Sequence, residues 1–331
     1  MKMRLRKIGV SLTLLLLVAG ATVAATDAFE YQLIGTIKQK DREHFRDALP
    51  HVFLEGTKVP FAAQTRADAA GKFTFKNLPA DLFTLIVYIP RSGQYKKTVE
   101  VSASLADSRK RVFVEVEFHP SLESRALRQV SPLELSIPKK ALKEFTKAHE
   151  ELSRRNAAGA VERLKKAVSI YPDFLEAWNF LGTLAYKSGD LDQAEKYFRE
   201  ALNRDPQYYA SMVNLGGILL LQGKIKEAFP LNSSAVQAMP DDALAHSQLG
   251  LNYYFLGQLD EAENSLKQAI ALDPGHFSFP QIPLSRIYIQ RRDFSSALKL
   301  MEQFLSLHPD APQSPTIRKQ IEEIQRQMSS Y

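Results

Sequence analysis

Apolar residues in the second half of the chain recur at helical spacing. In residues 175–208, Trp178, Leu181, Gly182 and Ala185 fall at positions i, i+3, i+4 and i+7 and therefore share one helical face. The polar residues between them fall on the opposite face. This pattern predicts an amphipathic helix over the first part of the stretch.

A second helix is predicted directly after the first. Gly189 can end the first helix, and Asp190 can cap the next one. Ala194 and Phe198 then lie four residues apart on a buried stripe, and Pro206 ends the unit because its ring cannot continue a helix. The stretch therefore predicts one antiparallel helical hairpin, which cannot bury its own apolar face alone.

The hairpin is repeated along the chain with a period of 34 or 35 residues. An alanine in the second helix and a proline after it recur in all five copies. A Leu-Gly pair in the first helix and a glycine in the turn recur in the second to fourth copies, and the last copy has Leu284-Ser285 in place of the pair. The prolines are Pro172, Pro206, Pro240, Pro274 and Pro309, and the alanines are Ala160, Ala194, Ala228, Ala262 and Ala297. A fixed period in this range predicts a solenoid of stacked helical units.

These markers resemble the tetratricopeptide (TPR) repeat. The resemblance covers residues 141–310 and implies five TPR-like hairpins, with a capping helix over residues 313–331. The predicted repeats are residues 141–174, 175–208, 209–242, 243–277 and 278–311. In the capping segment, Ile317, Ile321 and Ile324 share one face, as an amphipathic helix requires.

The third repeat departs from this pattern. Pro230 lies inside its second helix, where proline removes a backbone hydrogen bond, and Asn232 takes a position where a large apolar residue is expected. Two interpretations remain open from the sequence. The helix is kinked and held by its neighbours, or the bend shapes a partner site.

Residues 29–118 show short β-rich runs separated by turn signals, with alternating polarity in several of them. The predicted strands are Tyr31–Lys38, Val52–Glu55, Ala62–Arg66, Lys72–Phe75, Leu82–Ile89, Lys96–Val101 and Arg111–Phe118. About seven short strands without a helical period predict an antiparallel β-sandwich over residues 28–118.

Part of this region resembles the carboxypeptidase regulatory-like domain, a transthyretin-like sandwich. The matching residues are Asp68, Gly71, Phe73, Phe75, Leu78 and Pro79. Asp81 stands close to where that family has a glycine, and aspartate tolerates a positive φ, so the turn is expected to persist. The resemblance implies a fold and no catalytic residues.

Prolines punctuate the segment between the two regions. Pro120, Pro132 and Pro138 disfavour a helix and predict an extended linker over residues 119–140. Within it, the alternating residues 133–137 leave two alternatives, a solvated linker or a segment that docks as a strand or covers the first repeat.

The first 25 residues have the order of a secretory signal peptide. Four basic residues precede an apolar run, and small residues follow up to Ala25. We therefore expect export to the periplasm or the cell exterior. The alternative is an uncleaved segment that anchors the protein in a membrane through residues 8–25.

The charge of the chain is largely a property of this segment. The whole chain has 43 basic and 37 acidic residues, and the first 25 residues hold four of the basic ones and none of the acidic ones. The remainder is close to neutral, with 39 basic against 37 acidic residues. This balance predicts no nucleic-acid partner.

No sequence pattern for catalysis is evident. The seven histidines are scattered, the chain has no cysteine, and neither a glycine-rich phosphate loop nor a Gly-x-Ser-x-Gly elbow is present. We therefore predict that the chain is not an enzyme and has no catalytic, cofactor or metal site.

The TPR resemblance implies a binding surface instead, on the concave face lined by the first helix of each hairpin. The predicted partner-binding residues are Asn179, Tyr186, Val213, Leu220, Ser247, Leu251, Tyr254, Ile282 and Ile289. They describe an apolar, aromatic groove for a protein or peptide segment. Two alternatives remain: some of these residues pack against adjacent helices, or the groove holds the chain's own linker.

Two classes of function follow. The leading prediction is an exported, non-catalytic scaffold or adaptor that binds a protein or peptide in the groove. The alternative is a glycan-binding protein of the cell envelope, in which the sandwich contacts the glycan through Phe61, Tyr88 and Tyr95 and the repeats act as a spacer.

Overall fold

The computed structural model describes residues 30–38, 45, 49–90, 92–118 and 136–329. Within these residues the chain forms seven strands and then eleven helices. The predicted signal segment and residues 119–135 of the predicted linker lie outside the described residues. No helix in the described part is long and apolar enough to cross a bilayer.

The strands form two sheets that enclose one apolar core. Their bounds are β1 Tyr31–Lys38, β2 His51–Gly56, β3 Ala62–Arg66, β4 Lys72–Leu78, β5 Asp81–Ile89, β6 Gly93–Val101 and β7 Arg111–Glu117. One sheet has the order β4-β1-β7 and the other has the order β3-β2-β5-β6. Alternate residues of β5, such as Phe83, Leu85 and Val87, are fully buried between the sheets. We call this body the β-domain.

One pairing corrects the prediction of a wholly antiparallel sandwich. Strands β1 and β7 run parallel, with Leu33 beside Val112. Antiparallel neighbours can be joined by a short turn, whereas a parallel pair is joined by a longer crossover. Here β7 follows β6, which belongs to the other sheet, and returns beside the first strand.

The turn near Asp81 also differs from the expectation. Asp81 is the first residue of β5, and the positive φ of 56° belongs to Asn77. The carboxylate of Asp81 accepts hydrogen bonds from the backbone of Lys58 and Val59 at 3.3 and 3.1 Å. Burial raises the pKa of Asp81, while these backbone hydrogen bonds lower it.

The eleven helices are arranged as five antiparallel hairpins and a final helix. Their bounds are α1 Lys139–Ser153, α2 Ala157–Ile170, α3 Leu175–Lys187, α4 Leu191–Arg204, α5 Tyr209–Leu221, α6 Ile225–Ala238, α7 Ala243–Phe255, α8 Leu259–Leu272, α9 Gln281–Gln290, α10 Phe294–Leu307 and α11 Ser314–Ser329. Each helix packs against the helix before it and the helix after it. The predicted fold class, a β-sandwich followed by a helical solenoid with a capping helix, is confirmed.

The local signals act as the sequence indicates. Gly189 ends α3 with a φ of +83°, and the side chain of Asp190 accepts a hydrogen bond from the backbone of Gln193 at 3.0 Å. At the C-terminus, α11 buries Ile317 and Ile324 against the last hairpin. At the other end, Ile137 of the predicted linker packs against the core of the first repeat.

Small residues set the spacing between the two helices of a hairpin. A Cβ atom added to Gly182 would lie 2.5 Å from the ring of Phe198, and one added to Gly250 would lie 2.7 Å from Leu266. The large side chain on the second helix therefore fills the space that the glycine leaves on the first. In the third repeat Asn232 takes the position of Phe198 and Leu266, and it is fully buried beside Gly216.

Candidate functional site

The predicted groove residues lie on the first helices α3, α5, α7 and α9, and they differ widely in exposure. Tyr186 is 39% exposed, the largest exposed fraction in the set. Residues of intermediate burial are Asn179, Leu251, Tyr254, Ile282 and Ile289. Buried residues are Val213, Leu220 and Ser247.

The buried members contribute to packing between helices. Val213 belongs to a cluster with Met212, Ala235 and Ala245, and Leu220 belongs to the cluster around Phe198. A partner could therefore contact fewer residues on the first helices than the nine that were predicted. The surface that they form is centred on Tyr186, whose phenol is still partly desolvated, and this desolvation raises its pKa.

Polar side chains connect consecutive repeats along the first helices. The side-chain oxygen of Asn179 accepts hydrogen bonds from Ser211 at 3.1 Å and from Asn214 at 2.9 Å. Further along, Ser278 donates to Ser247 at 2.8 Å, and the amide of Gln290 lies 3.4 Å from the hydroxyl of Tyr254.

Sequence reasoning missed this row of contacts because it looked for apolar grooves. Asn214 follows Asn179 by 35 residues and Gln290 follows Tyr254 by 36, close to one repeat period, and that spacing is the signal that could have found them. Two uncharged partners at nearly the same repeat position imply contact between adjacent first helices. The row gives the surface hydrogen-bonding groups as well as apolar ones.

A buried histidine extends the row near the fourth and fifth repeats. The ring of His276 lies 2.7 Å from the hydroxyl of Ser278, which in turn contacts Ser247. Burial lowers the pKa of His276, whereas the carboxylates of Asp273 and Asp242 raise it. In the described part of the chain, no group of three His, Asp or Glu residues is placed to hold a metal ion.

The β-domain contacts the first two repeats. Lys187, at the end of α3, donates to the backbone oxygen of Gly56 at 2.6 Å, and Arg155 donates to that of Asn77 at 3.4 Å. Burial lowers the pKa of Lys187, and the nearby carboxylates of Glu55 and Asp81 raise it. An open cleft of about 460 Å³ lies beside these contacts, between Pro60 and helices α2 to α4.

The β-domain also contacts the last two repeats. Asp273 accepts a hydrogen bond from the backbone of Thr98 at 3.0 Å. Asp310 accepts from the backbone and hydroxyl of Ser104 at 2.8 and 2.6 Å. These bonds lower the pKa of Asp310 although burial opposes them.

A buried contact between a histidine and a glutamate completes this second contact. The Nδ1 atom of His308 lies 2.8 Å from the carboxylate of Glu100, and both side chains are less than 10% exposed. The ring of His308 is packed between Phe279 and Phe304. The repeat array is therefore in contact with its own β-domain at both ends. The linker, which is one alternative occupant of the groove, lies mostly outside the described residues.

The three aromatic residues considered for glycan binding do not form one exposed platform. Phe61 packs against Phe83 with ring centroids 5.7 Å apart, and Tyr95 packs against Phe118 at 6.5 Å. Both are partly buried against the core of the β-domain. Only Tyr88 among the three is exposed, at 44%.

Comparison with protein families identifies the helical repeats. Residues 145–208 and 181–243 match one tetratricopeptide repeat model, and residues 243–276 match a second. These matches confirm the predicted TPR character of residues 145–276, and the fifth predicted repeat, residues 278–311, lies beyond them. The matches do not extend to the β-domain, so its resemblance to the carboxypeptidase regulatory-like domain stays a prediction.

Curated relatives match part of this chain. A probable biofilm formation methyltransferase, WspC, from Pseudomonas putida is 27% identical over 172 residues, which are 48% of this chain and 40% of that protein. An Hsp70-Hsp90 organising protein from Plasmodium falciparum is 27% identical over 107 residues, 32% of this chain and 42% of that protein. This chain spans less than half the length of either relative.

Solved structures match with low identity. MamA from Desulfovibrio magneticus, residues 41 to the end, is 23% identical with a TM-score of 0.47, over 54% of this chain and 99% of that one. YrrB, described as a TPR protein with an unusual peptide-binding site, is 21% identical with a TM-score of 0.45, over 57% of this chain and 98% of that one.

Proposed function

We propose that this chain is an exported, non-catalytic scaffold that binds a protein or peptide partner through the first helices of its TPR array. The observation that carries the proposal is the surface around Tyr186. Tyr186 is exposed on α3, and half-buried apolar and amide side chains lie on the same helix and on the first helices of the following repeats. Such a surface offers apolar contacts to an extended or helical segment of a partner, and side-chain groups that can form hydrogen bonds with the backbone of that segment.

Several features favour a scaffold. TPR repeats are a protein-interaction module, and the named relatives include an organising protein for two chaperones. Aromatic side chains with a polar tip, such as Tyr186 and Tyr254, are enriched where proteins contact one another. Export is inferred from the basic, apolar and small-residue order of the first 25 residues.

The test compares full-length variants that differ only in where an exposed apolar side chain is removed. The binding variant is Tyr186→Ala with Tyr254→Ala. The control is Ile170→Ala, because Ile170 is 43% exposed but lies on a second helix. Each protein is immobilised, and captured proteins from an envelope extract are quantified and then titrated in purified form.

We expect the double variant to lose about tenfold or more in affinity for a partner that the parent and Ile170→Ala bind equally, since a buried interface tyrosine commonly contributes more than 1 kcal/mol. Equal affinity in all three proteins would exclude this surface. Export is tested separately by mass spectrometry of the protein recovered from the envelope fraction, whose chain is expected to begin after Ala25.

A further inference from the structure

The contact between β6 and the last two repeats includes an aspartate at a repeat position where an equivalent aspartate hydrogen-bonds within its own turn. Asp273 precedes Pro274 just as Asp205 precedes Pro206, two repeats earlier. Asp205 accepts a hydrogen bond from its own turn, from the backbone of Gln207 at 2.9 Å. Asp273 instead has an oxygen 3.0 Å from the backbone nitrogen of Thr98 in the β-domain.

This carboxylate lies at the open edge of a sheet. In the order β3-β2-β5-β6 strand β6 is an edge strand, so part of its backbone has no strand to pair with. Asp273 accepts from one of its amides, and Asp310 accepts from the amide of Ser104 just beyond the strand. The repeats thus cover a strand edge with single carboxylates, without adding a strand to the sheet.

The two bodies keep separate apolar cores. The core of the β-domain consists of residues between 31 and 118, and most repeat clusters consist of residues beyond 136. Leu82 is the exception in the described residues, since it joins the cluster of the fifth repeat with Phe279. A contact made mainly by separate polar bonds and one apolar side chain resembles the interfaces across which domains move.

The contact spans the array. Lys187 and Arg155 hold the β-domain at the first two repeats, and Asp273, His308 and Asp310 hold it at the last two. A solenoid changes its curvature by small rotations between neighbouring repeats. A body fixed to both ends therefore restricts how far the array can open.

We propose that the β-domain is a releasable clasp that closes the TPR array, and that the partner binds the array after β6 leaves Asp273 and Asp310. The second half of this inference rests on the scaffold function proposed above. In the closed state the segment of this chain from Thr98 to Ser104 occupies the surface of the last two repeats around Asp273 and Asp310. The clasp opens when a partner competes with that segment or when its polar bonds are removed.

The first test measures opening without any partner. The chain has no cysteine, so Ser108→Cys and Glu302→Cys place two spin labels at exposed positions, one on the β-domain and one on α10. The distance between the labels is then measured in the full-length protein. The parent is expected to give one narrow distribution.

Adding Asp273→Ala and Asp310→Ala is expected to increase the population of molecules with a longer distance between the labels by about tenfold or more. Each lost hydrogen bond to a charged group shifts the equilibrium between closed and open forms by about that factor. The matched control is Asp205→Ala, which removes the same residue type from the same repeat position and should leave the distribution unchanged. An unchanged distribution in the double variant, with parental circular dichroism, would overturn the clasp.

The second test holds the clasp closed instead of opening it. Ser104→Cys with Asp310→Cys replaces two side chains that contact each other, with oxygens 2.6 Å apart, and mass spectrometry verifies that oxidation has joined the two thiols. The oxidised full-length protein should bind the purified protein that the parent captures from the envelope extract with at least about tenfold lower affinity than the same variant after reduction. Equal capture in both states would overturn the gating of the partner by the β-domain.

The two tests separate this inference from the scaffold function. If the distances respond to Asp273→Ala and Asp310→Ala while neither parent nor reduced protein captures a partner, the scaffold function fails and the clasp stands. If the parent captures a partner and the distances do not respond, the scaffold function stands and the clasp is wrong.

Discussion

The side-chain amide of Asn232 donates a hydrogen bond of 2.5 Å to the amide oxygen of Asn252, inside the packed array. Both residues are fully buried. They take positions where the other repeats carry apolar side chains. The equivalents of Asn232 are Leu164, Phe198, Leu266 and Met301, and the equivalents of Asn252 are Leu184, Ile218 and Ile287.

We predict that the two asparagines are energetically coupled. Asn232→Leu or Asn252→Ile alone should lower the free energy of unfolding by about 1–3 kcal/mol, because each leaves a buried amide without its partner. The double variant should lose less than the sum, since Leu266 shows that leucine fits beside the glycine of the first helix. Urea unfolding of all four proteins measures this coupling, and additive losses would contradict it.

The glycines at the helix crossings make a second prediction. Gly182→Ala should lower the free energy of unfolding by about 1–3 kcal/mol, because its Cβ would lie 2.5 Å from the ring of Phe198. Helix propensity acts in the opposite direction, by about 1 kcal/mol, so the clash decides the sign. The measurement is thermal unfolding followed by circular dichroism.

The last repeat supplies the control for this substitution. Ser285 occupies the same repeat position as Gly182, and its hydroxyl bonds to Ile282 within its own helix. Ser285→Ala should therefore change stability less than Gly182→Ala does. A gain in stability for Gly182→Ala would mean that Phe198 moves aside without cost.

Local signals explain how much of the helical region could be predicted from the sequence. A turn glycine and a capping aspartate act on residues close to them in the chain, so the roles of Gly189 and Asp190 can be predicted from the local sequence. The strands follow in the same way from alternation, and the structure places β1 and β3 at the predicted bounds. Both kinds of element depend on neighbours in sequence.

Contacts between distant segments could not be predicted by these means. The bonds from Thr98 to Asp273 and from Ser104 to Asp310 join residues 175 and 206 positions apart. Asp273 looks like the turn-forming Asp205, and only the three-dimensional position of the β-domain assigns it a different partner. The exposure of the predicted groove residues could not be predicted for the same reason, since the burial of Val213 and Leu220 depends on neighbouring repeats.

A cluster of charges between the fourth and fifth repeats predicts a pH dependence. Burial opposes ionisation of Glu263, but hydrogen bonds from Lys267, Tyr288 and Arg291 outweigh it and lower its pKa to about 2. The folded pKa is below the unfolded one. The carboxylate therefore stabilises the protein above pH 4.5, and this contribution is lost as the pH falls towards 2.

Glu263→Gln should accordingly lower the free energy of unfolding at pH 7 by about 1–2 kcal/mol, after allowance for the partly exposed lysine and arginine partners. The difference from the parent should shrink between pH 4.5 and the acid limit of the measurement. Glu261→Gln, at an exposed position on the same helix, is the control and should leave the pH profile unchanged. A loss for Glu263→Gln that is constant with pH would contradict the ionic origin.

The proline inside α6 gives the last prediction. Helix α6 continues through Pro230, whose exposed ring lines a cleft of about 340 Å³ with Leu215, Leu219 and Leu231. Pro230→Ala restores a backbone donor inside the helix and removes the clash with the preceding turn. We expect the free energy of unfolding to rise by about 1–3 kcal/mol and the fold to remain, as measured by calorimetry.

Lys196→Ala provides the matched control for this change. Lys196 is exposed at the same position of the second repeat, so its replacement should alter stability by no more than about 0.5 kcal/mol. A lower Tm for Pro230→Ala would show that the kink is required for packing. The side-chain amide of Asn252 donates to the carbonyl of Ile225 at 2.8 Å in the turn before the proline, and straightening α6 would then have broken that bond.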